Sequence, residues 1–283
     1  MTSKADFHCH STASDGILSP TKLVDLAAGQ GVRIMALTDH DSTEGVAEAR
    51  RAAARHAGFT LIPGVEMGTD IPGAEVHVLG YFLEPENDEL QERLRRLRDS
   101  RVLRGKRMTE KLQALGYQIE WPRVQQIAGD GSVGRPHVAQ ALLEKGYISD
   151  VAEAFKDLIG RNGVAYVERE KMTPAEAVAT IVRLGGIPCL AHPHELELDD
   201  LLADLKAAGL AAMEVYYKDY DEPTVERLLA TARRFDILPL GGSDYHGLYG
   251  ENERLPGDIP LPDEPADALM EMGRRLAGEE ARR

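Results

Sequence analysis

The sequence has few of the residues that build disulfide frameworks, aromatic surfaces or membrane spans. Its 283 residues include two cysteines and one tryptophan, and aromatic residues make up 5% of the chain. Cys9 and Cys189 each fall in a strand-like stretch, so we interpret them as small buried residues. No apolar run approaches the roughly 20 residues that a membrane helix requires, and the opening MTSKADFHCH is unlike a signal peptide. These absences favour a cytoplasmic protein without a membrane partner.

Basic residues are also scarce. Lys and Arg number 33 against 47 Asp and Glu, which gives a net charge of −14. Such a balance disfavours a large nucleic-acid-binding surface. An anionic ligand must then be bound locally, by metal ions or by a basic pocket.

Short apolar runs alternate with amphipathic helices along much of the chain. One predicted helix starts with Ser19 as N-cap and Pro20 after it, and closes on glycine. The strand signals fade between residues 86 and 163, where long helical stretches replace them. The pattern predicts an α/β fold whose parallel sheet or barrel has its site at the carboxyl ends of the strands. The barrel domain would comprise residues 1–85 and 164–283, and residues 86–163 would form a helical insertion.

Histidines and carboxylates recur at the ends of the predicted strands. In ADFHCH, the two-residue period of a strand places Asp6, His8 and His10 on one face. Seven further residues occupy comparable positions: Asp15, His40, Glu66, His77, His192, Asp244 and His246. His194 is interpreted as a loop residue. Each of the nine candidates, His8, His10 and these seven, is on its own more simply a satisfied polar side chain, but nine unpartnered groups would cost a few kcal/mol each. Together they predict two or three divalent ions with Glu66 as a bridge, Mn²⁺ first and Zn²⁺, Fe²⁺ or Mg²⁺ as alternatives.

Five ordered motifs carry a resemblance to a known family. DFHCHS, LTDHD, PGVE, AHP and GSDYH resemble the motifs of the PHP (polymerase and histidinol phosphatase) phosphoesterases, whose fold is a distorted (βα)7 barrel like that of amidohydrolases. The resemblance runs from Ala5 to about Gly247 and leaves out the helical insertion. It implies three metal positions: one at His8, His10, Glu66 and Asp244, one at Asp15, His40 and His246, and one at His77, His192 and Glu66. Asp15 stands where many relatives have histidine.

The resemblance also implies a function. The architecture is similar to the branch that contains 3′,5′-nucleoside bisphosphate phosphatases and short-RNA 5′→3′ exonucleases. Clustered ions lower the pKa of a bridging water and neutralise phosphoryl oxygens, and Asp244 and His192 are candidates for proton transfer. We expect hydrolysis of the 3′-phosphate of nucleotides such as adenosine 3′,5′-bisphosphate. The alternatives are an exonuclease on short oligoribonucleotides, a histidinol-phosphate phosphatase, an amidohydrolase and a non-catalytic, metal-bound regulatory module.

The insertion contains a strongly basic segment, although the chain as a whole is acidic. Residues 93–107 include eight Arg or Lys and one acid, Asp99. Arg101 and Arg104 fall on the apolar stripe of this predicted helix, where leucines precede them and Met108 follows. Guanidinium groups match phosphate oxygens, so we interpret Arg101 and Arg104 as a phosphate clamp, with a solvated basic face as the alternative.

A second candidate anion site lies in GDGSVGRPHVAQ. Its glycines and proline predict a helix start at Arg135. Arg135, His137 and the free N–H groups there are candidates for binding another anion, and an ordinary helix start is the alternative. Two basic anchors beside a metal cluster predict a small anionic nucleotide as partner, with short oligonucleotides as the alternative.

Overall fold

The computed structural model describes residues 3–72, 74–168, 172–193, 196, 198–248, 250 and 253–280. The strands in these residues are β1 (Ala5–Asp6), β2 (Ile34–Leu37), β3 (Thr60–Ile71), β4 (Ala74–Tyr81), β5 (Ile187–Leu190), β6 (Ala212–Tyr217) and β7 (Leu238–Gly242). The helices are α1 (Pro20–Gly29), α2 (Val46–Ala53), α3 (Asp88–Ala114), α4 (Trp121–Ala128), α5 (Arg135–Glu144), α6 (Val151–Asp157), α7 (Pro174–Arg183), α8 (Leu198–Ala207), α9 (Glu222–Arg234) and α10 (Asp263–Glu280).

The strands form one seven-stranded sheet, ordered from β1 to β7 as in the chain. Its two edges approach each other, because Phe7 N donates to Gly241 O at 3.3 Å and Cys9 forms an isolated parallel bridge with Tyr245. The sheet is therefore a nearly closed barrel. This confirms the predicted α/β barrel with a helical insertion.

Strand β4 departs from the parallel order that the alternation of elements predicted. It runs antiparallel to both β3 and β5, whereas the other neighbouring pairs are parallel. Two residues separate β3 from β4, and a parallel crossover needs a dozen or more. The expectation of an all-parallel sheet is thus wrong at this strand. Because β4 is reversed, His77 near its start lies at the same end of the barrel as the carboxyl ends of the parallel strands.

Local sequence signals set several helix starts. Ser19 Oγ accepts from Lys22 N at 3.4 Å at the start of α1, as the N-cap pattern predicted. Helix α5 begins at Arg135 after Gly134, which confirms the predicted start. Strand β1 is shorter than predicted and ends at Asp6. His8 and His10 therefore follow the strand rather than lie within it.

The helical insertion has an apolar cluster of its own. That cluster includes Met108, Leu112, Val124, Val138 and Ile159. The first turns of α3 belong instead to the barrel core, through Leu90, Leu94 and Leu97. Arg101 and Arg104 lie on α3 between these two apolar segments and are each 4% exposed. Helix α3 thus passes from the barrel core into the insertion core, and the domain boundaries at residues 86 and 163 stay a prediction.

Two expectations from composition can be compared with the structure. Cys9 and Cys189 are buried and free, which confirms their interpretation as small core residues. In the described part of the chain, no helix combines the length and apolar character needed to cross a membrane.

Candidate metal centre

Histidines and carboxylates converge at one end of the barrel. The nine predicted ligand residues are His8, His10 and Asp15 after β1, His40 after β2, Glu66 in β3, His77 in β4, His192 after β5, and Asp244 and His246 after β7. Every one of them has a nitrogen or oxygen within 4 Å of a charged partner in this set. His194 lies outside the described residues.

The first group consists of His8, His10, Glu66 and Asp244. His8 Nε2 is 3.1 Å from Glu66 Oε2 and 3.3 Å from Asp244 Oδ1. His10 Nε2 is 3.1 Å from each of the same two oxygens. Two imidazole nitrogens and two carboxylate oxygens therefore surround one point, with the four residues that the resemblance implies for the first metal position.

The second group consists of His10, Asp15, His40 and His246. His246 Nε2 is 3.3 Å from Asp15 Oδ1, and His40 Nε2 is 3.8 Å from Asp15 Oδ2. His10 Nδ1 lies 3.7 Å from Asp15 Oδ1, and its ring stacks on that of His246 at 4.0 Å between centroids. The group thus contains the three residues that the resemblance implies, and His10 borders it as well.

Glu66 also takes part in a third group. His77 Nδ1 is 2.7 Å and His192 Nε2 is 3.3 Å from Glu66 Oε1. His40 Nδ1 is 3.0 Å from the other oxygen, Oε2, and His40, Glu66 and His77 form a potential ligand set. The two oxygens of Glu66 therefore face different histidines, as a bridging carboxylate would.

The partners of these buried atoms test whether the residues fit metal ions. Seven buried nitrogens or oxygens of the nine predicted ligand residues have no hydrogen-bond partner among the described residues: His8 Nε2, His10 Nε2, Asp15 Oδ1, His40 Nδ1, Glu66 Oε2, and Nδ1 and Nε2 of His77. Buried polar groups are normally paired, and ligand atoms at about 2.0–2.2 Å from one ion lie roughly 3 Å apart. The observed separations near 3 Å fit divalent ions held by mixed nitrogen and oxygen ligands.

The charges of the groups are strongly coupled. Burial raises the pKa of Glu66, but the surrounding histidines, His40 foremost, outweigh it and hold the pKa well below its usual range. Burial lowers the pKa of His40 to about 4. His10 is also buried, yet its contacts with Asp244 and Glu66 raise its pKa to about 10. The carboxylate of Glu66 is thus ionised, which is the form in which a carboxylate binds a metal ion.

Residues of the insertion contact the neighbours of these groups. Arg101 Nε donates to Asp41, the residue after His40, while its buried Nη2 has no hydrogen-bond partner among the described residues. Arg104 Nη1 is 3.5 Å and Arg135 Nη2 is 2.6 Å from the two oxygens of Glu75. The structure thus brings all three arginines to the barrel end that holds the metal-ligand groups, where each pairs with a carboxylate.

His137 and the loop before it lie at the same end of the barrel, against the loop that carries Asp15. His137 Nδ1 accepts from Gly134 N at 2.8 Å, so its Nε2 carries the proton when the ring is neutral. A Cβ atom on Gly134 would lie 3.0 Å from Asp15 Oδ2, and one on Gly131 would lie 2.6 Å from Thr12 O. The glycines let the insertion approach the loop that carries Asp15 closely.

Residues 6–179 match the PHP domain. The chain belongs to the PHP family. The match covers more than half of the chain, and it agrees with the barrel and with the grouped ligands described above. The protein is therefore a PHP metal-dependent phosphoesterase, as the five sequence motifs predicted.

Characterised PHP relatives differ in substrate. A 5′-3′ exoribonuclease from Haemophilus influenzae is 36% identical over 251 residues, which cover 87% of this chain and 91% of the relative. A 3′,5′-nucleoside bisphosphate phosphatase from Chromobacterium violaceum is 32% identical over 274 residues, 90% and 92% of the two chains. A phosphoribosyl 1,2-cyclic phosphate 1,2-diphosphodiesterase from Eggerthella lenta is 30% identical and covers 90% and 98%.

Solved structures show the same PHP architecture. A proposed metal-dependent phosphoesterase from Bifidobacterium adolescentis superposes with a TM-score of 0.87 at 31% identity and covers 95% of this chain and 96% of its own. An amidohydrolase from Chromobacterium violaceum, with bound sulfate and no metal, gives 0.86 at 29% identity, covering 95% and 97%. Both include the helical insertion within the matched length.

The sequence motifs did not predict a role for Glu214, whose carboxylate contacts two predicted metal ligands, His8 and His192. It is fully buried in β6, its two oxygens lie 3.1 and 3.2 Å from His8 Nδ1, and Oε2 accepts from His192 N at 2.8 Å. A proton on His8 Nδ1 leaves Nε2 free for a metal ion. One signal was present in the sequence, because Glu214 is the single acid within the apolar strand AMEVYY.

Replacement of Glu214 tests this supporting role. Glu214→Gln is expected to weaken Mn²⁺ binding by about 10–100-fold, because a ligand histidine loses its outer carboxylate. Calorimetric titration of the metal-free protein with Mn²⁺ measures the change. Glu48→Gln is the control, since Glu48 accepts from Thr21 N on α1. Unchanged Mn²⁺ affinity in Glu214→Gln would contradict the role.

The last residue of β6 and the residue after it contact the outer side of Asp244. Tyr217 Oη donates to Asp244 Oδ2 at 2.7 Å, and Lys218 Nζ lies 2.9 Å from the backbone oxygen of Asp244. These contacts direct Oδ1 of Asp244 towards His8 and His10. The backbone of Asp244 has a φ of 48°, and His192 has 29°. Non-glycine residues adopt such angles at an energetic cost and are often found at functional sites.

Proposed function

We propose that this PHP phosphoesterase hydrolyses a phosphomonoester of a nucleotide, the 3′-phosphate of a 3′,5′-nucleoside bisphosphate. Two or three divalent ions, Mn²⁺ first, would be held by the three groups around Glu66. The observation that carries the proposal is the approach of Arg101, Arg104 and Arg135 to the metal-ligand groups, with Arg101 Nη2 left unpartnered among the described residues. A substrate with two phosphates needs both features, one for the phosphate that is cleaved and one for the phosphate that is retained.

Different groups would bind the two phosphates of the substrate: the metal ions the one that is cleaved, and residues of the insertion the one that is retained. Bound divalent ions supply an activated water and neutralise phosphoryl oxygens. Arg101 and the Nε2 proton of His137 are proposed to hold the retained phosphate, and Arg104 and Arg135 add positive charge beside it. A guanidinium donates two parallel hydrogen bonds to a phosphate, which fixes its orientation. The nucleotide would thus lie between the barrel and the insertion.

Proton transfer is assigned to His192 in preference to Asp244, the second candidate from the sequence. Burial raises the pKa of Asp244, but Lys218 and the histidines outweigh it and hold the pKa well below its usual range. A carboxylate that stays ionised is a poor proton donor. His192 is therefore the proposed proton donor: its side chain is 27% exposed, although its Nε2 also borders the third ligand group.

The surface charge favours a small nucleotide over long RNA. Three exposed arginines of α3 are paired with acids: Arg95 and Arg96 contact Glu92, and Arg93 contacts Glu89. The local excess of positive charge in residues 93–107 is therefore partly compensated on the outer face. A long polyanion would therefore meet fewer uncompensated charges along this face than the sequence alone indicates.

A 5′→3′ exonuclease activity on short oligoribonucleotides is the second candidate. The exoribonuclease from Haemophilus influenzae, at 36% identity, is the observation that favours it. A regulatory module, an amidohydrolase and a histidinol-phosphate phosphatase have less support. A regulatory module would not need the complete ligand set, and an amidohydrolase usually needs a bridging lysine where this chain has Glu66. Three arginines beside the metal-ligand groups suit a substrate with more than one phosphate better than histidinol phosphate, which has one.

The experiment compares four substrates at equal concentration with Mn²⁺-loaded protein: adenosine 3′,5′-bisphosphate, a 5′-phosphorylated trinucleotide, histidinol phosphate and adenosine 5′-monophosphate. Release of the 3′-phosphate from the bisphosphate, with the highest kcat/KM and loss after chelation, is the expected result. Faster release of mononucleotides from the trinucleotide would support the exonuclease instead. Equal rates with the bisphosphate and the monophosphate would contradict a site for a second phosphate.

A further inference from the structure

Glu75 contacts both the metal centre and the helical insertion. It lies near the start of β4, two residues before His77, and its side chain is 15% exposed. Oε1 is 3.5 Å from His77 Nε2 and 3.5 Å from Arg104 Nη1, and Oε2 is 2.6 Å from Arg135 Nη2. The carboxyl group therefore lies between one histidine and two arginines.

The orientation of the His77 ring indicates what its contact with Glu75 can do. Nδ1 faces Glu66 Oε1 at 2.7 Å, and both ring nitrogens are buried without a hydrogen-bond partner among the described residues. A metal ion bound through Nδ1 places the ring proton on Nε2, which is the atom that faces Glu75. Ligand histidines usually donate their second N–H to a carboxylate, which fixes the ring and raises its basicity.

We propose that Glu75 is a positioning residue that orients His77 for a metal ion and couples that metal position to the docking of the insertion through Arg104 and Arg135. The proposal rests on the proposed ligand role of His77. The coupling is mutual: the arginines hold the carboxylate in place for the histidine, and the carboxylate holds α3 and α5 beside the metal position. Such reciprocity is a requirement of thermodynamic linkage between two equilibria.

The chain offers a matched control in the same hairpin. Asp70 is the cross-strand partner of Glu75 and pairs with Arg161, whose Nη2 is 2.8 Å from Asp70 Oδ1. This ion pair also joins the barrel hairpin to the end of the insertion. Among the described ion pairs, Asp70 has none with a predicted metal ligand. Asp70→Asn therefore removes a comparable charge without touching His77.

The test measures Mn²⁺ binding by full-length wild-type protein and by Glu75→Gln, Asp70→Asn, His77→Ala and Glu75→Gln/His77→Ala. We expect Glu75→Gln to weaken one class of Mn²⁺ sites by about 10–100-fold, and Asp70→Asn to leave that class unchanged. His77→Ala should remove the same class, and adding Glu75→Gln to it should have no further effect on Mn²⁺ affinity. Hydrogen exchange of α5 amides should accelerate in Glu75→Gln and on removal of Mn²⁺ from the wild type.

Several results would overturn the coupling. These are wild-type Mn²⁺ affinity in Glu75→Gln, an equal loss in Asp70→Asn, additive losses in the double variant, or a wild type that binds no more Mn²⁺ than His77→Ala. Unchanged α5 exchange in Glu75→Gln would remove the link to the insertion. None of these readouts uses a substrate. A protein that shows the coupling but hydrolyses no bisphosphate would disprove the proposed function alone.

Discussion

Glu66→Gln should lower kcat for phosphoester hydrolysis by about 10³-fold or more and reduce the number of Mn²⁺ ions that the protein binds. Glu66 is the carboxylate that two of the three ligand groups share, and its two oxygens face different histidines. A glutamine amide has nearly the same volume but no charge, and it is a weak metal ligand. A loss of several kcal/mol in transition-state stabilisation corresponds to this factor, at about 1.4 kcal/mol per tenfold.

The measurement pairs activity with metal content. Phosphate release from adenosine 3′,5′-bisphosphate gives kcat, and elemental analysis after gel filtration gives the Mn²⁺ bound per chain. Asp70→Asn serves as the control, because Asp70 is four residues further along β3 and pairs with Arg161 instead of a ligand histidine. Wild-type metal content with near wild-type kcat in Glu66→Gln would disprove the bridging role of Glu66.

The sequence was sufficient to predict the barrel because its signals are local. Strands, capped helices and the strand-end histidines can each be recognised within a few residues, and the five motifs add their order. The reversal of β4 was missed because it depends on the connection between strands. The two residues between β3 and β4 exclude a parallel crossover. Counting that connection would have predicted a hairpin and explained why His77 precedes the end of its strand.

The supporting carboxylates were harder to predict than the ligand residues. Glu214 and Glu75 stand in strands without any motif, and their roles depend on which side chains of distant segments they meet, such as His8 or Arg135. Asp39 shows the same limit. In the structure its carboxylate accepts hydrogen bonds from Ser11 N, Ser11 Oγ and Ser14 Oγ, which belong to a segment about 25 residues earlier in the chain. Contacts between segments that are far apart in the chain cannot be deduced from spacing.

The apolar stripe of α3 also did not predict that Arg101 and Arg104 pair with carboxylates. Periodicity correctly placed both side chains on the inward face of α3, and both are buried. It gave no information on what they would face, since Asp41 and Glu75 come from other segments. The phosphate clamp therefore has to be tested against a purely structural role for each buried arginine.

Arg101→Met should separate these two roles of Arg101, because each has its own measurable consequence. Removal of the guanidinium breaks the buried ion pair between Arg101 and Asp41, which costs about 3–5 kcal/mol of folding free energy. If Arg101 also binds the retained phosphate, KM for adenosine 3′,5′-bisphosphate should rise about 10–100-fold while kcat changes little, as for one or two charge-assisted hydrogen bonds. Urea unfolding measures the first effect and steady-state kinetics the second.

Two companion variants make the result for Arg101 decisive. Arg101→Lys keeps the charge beside Asp41 but not the two-pronged donor, so we expect nearly wild-type stability together with a KM that is raised about tenfold. Arg96→Met removes an exposed arginine of the same helix that contacts Glu92, and it should change neither quantity. A loss of stability in Arg101→Met with an unchanged KM in both Arg101 variants would assign Arg101 a structural role only. The retained phosphate would then have to be bound by other groups of the insertion, such as His137, whose Nδ1 accepts from Gly134 N so that Nε2 is the donor when the ring is neutral.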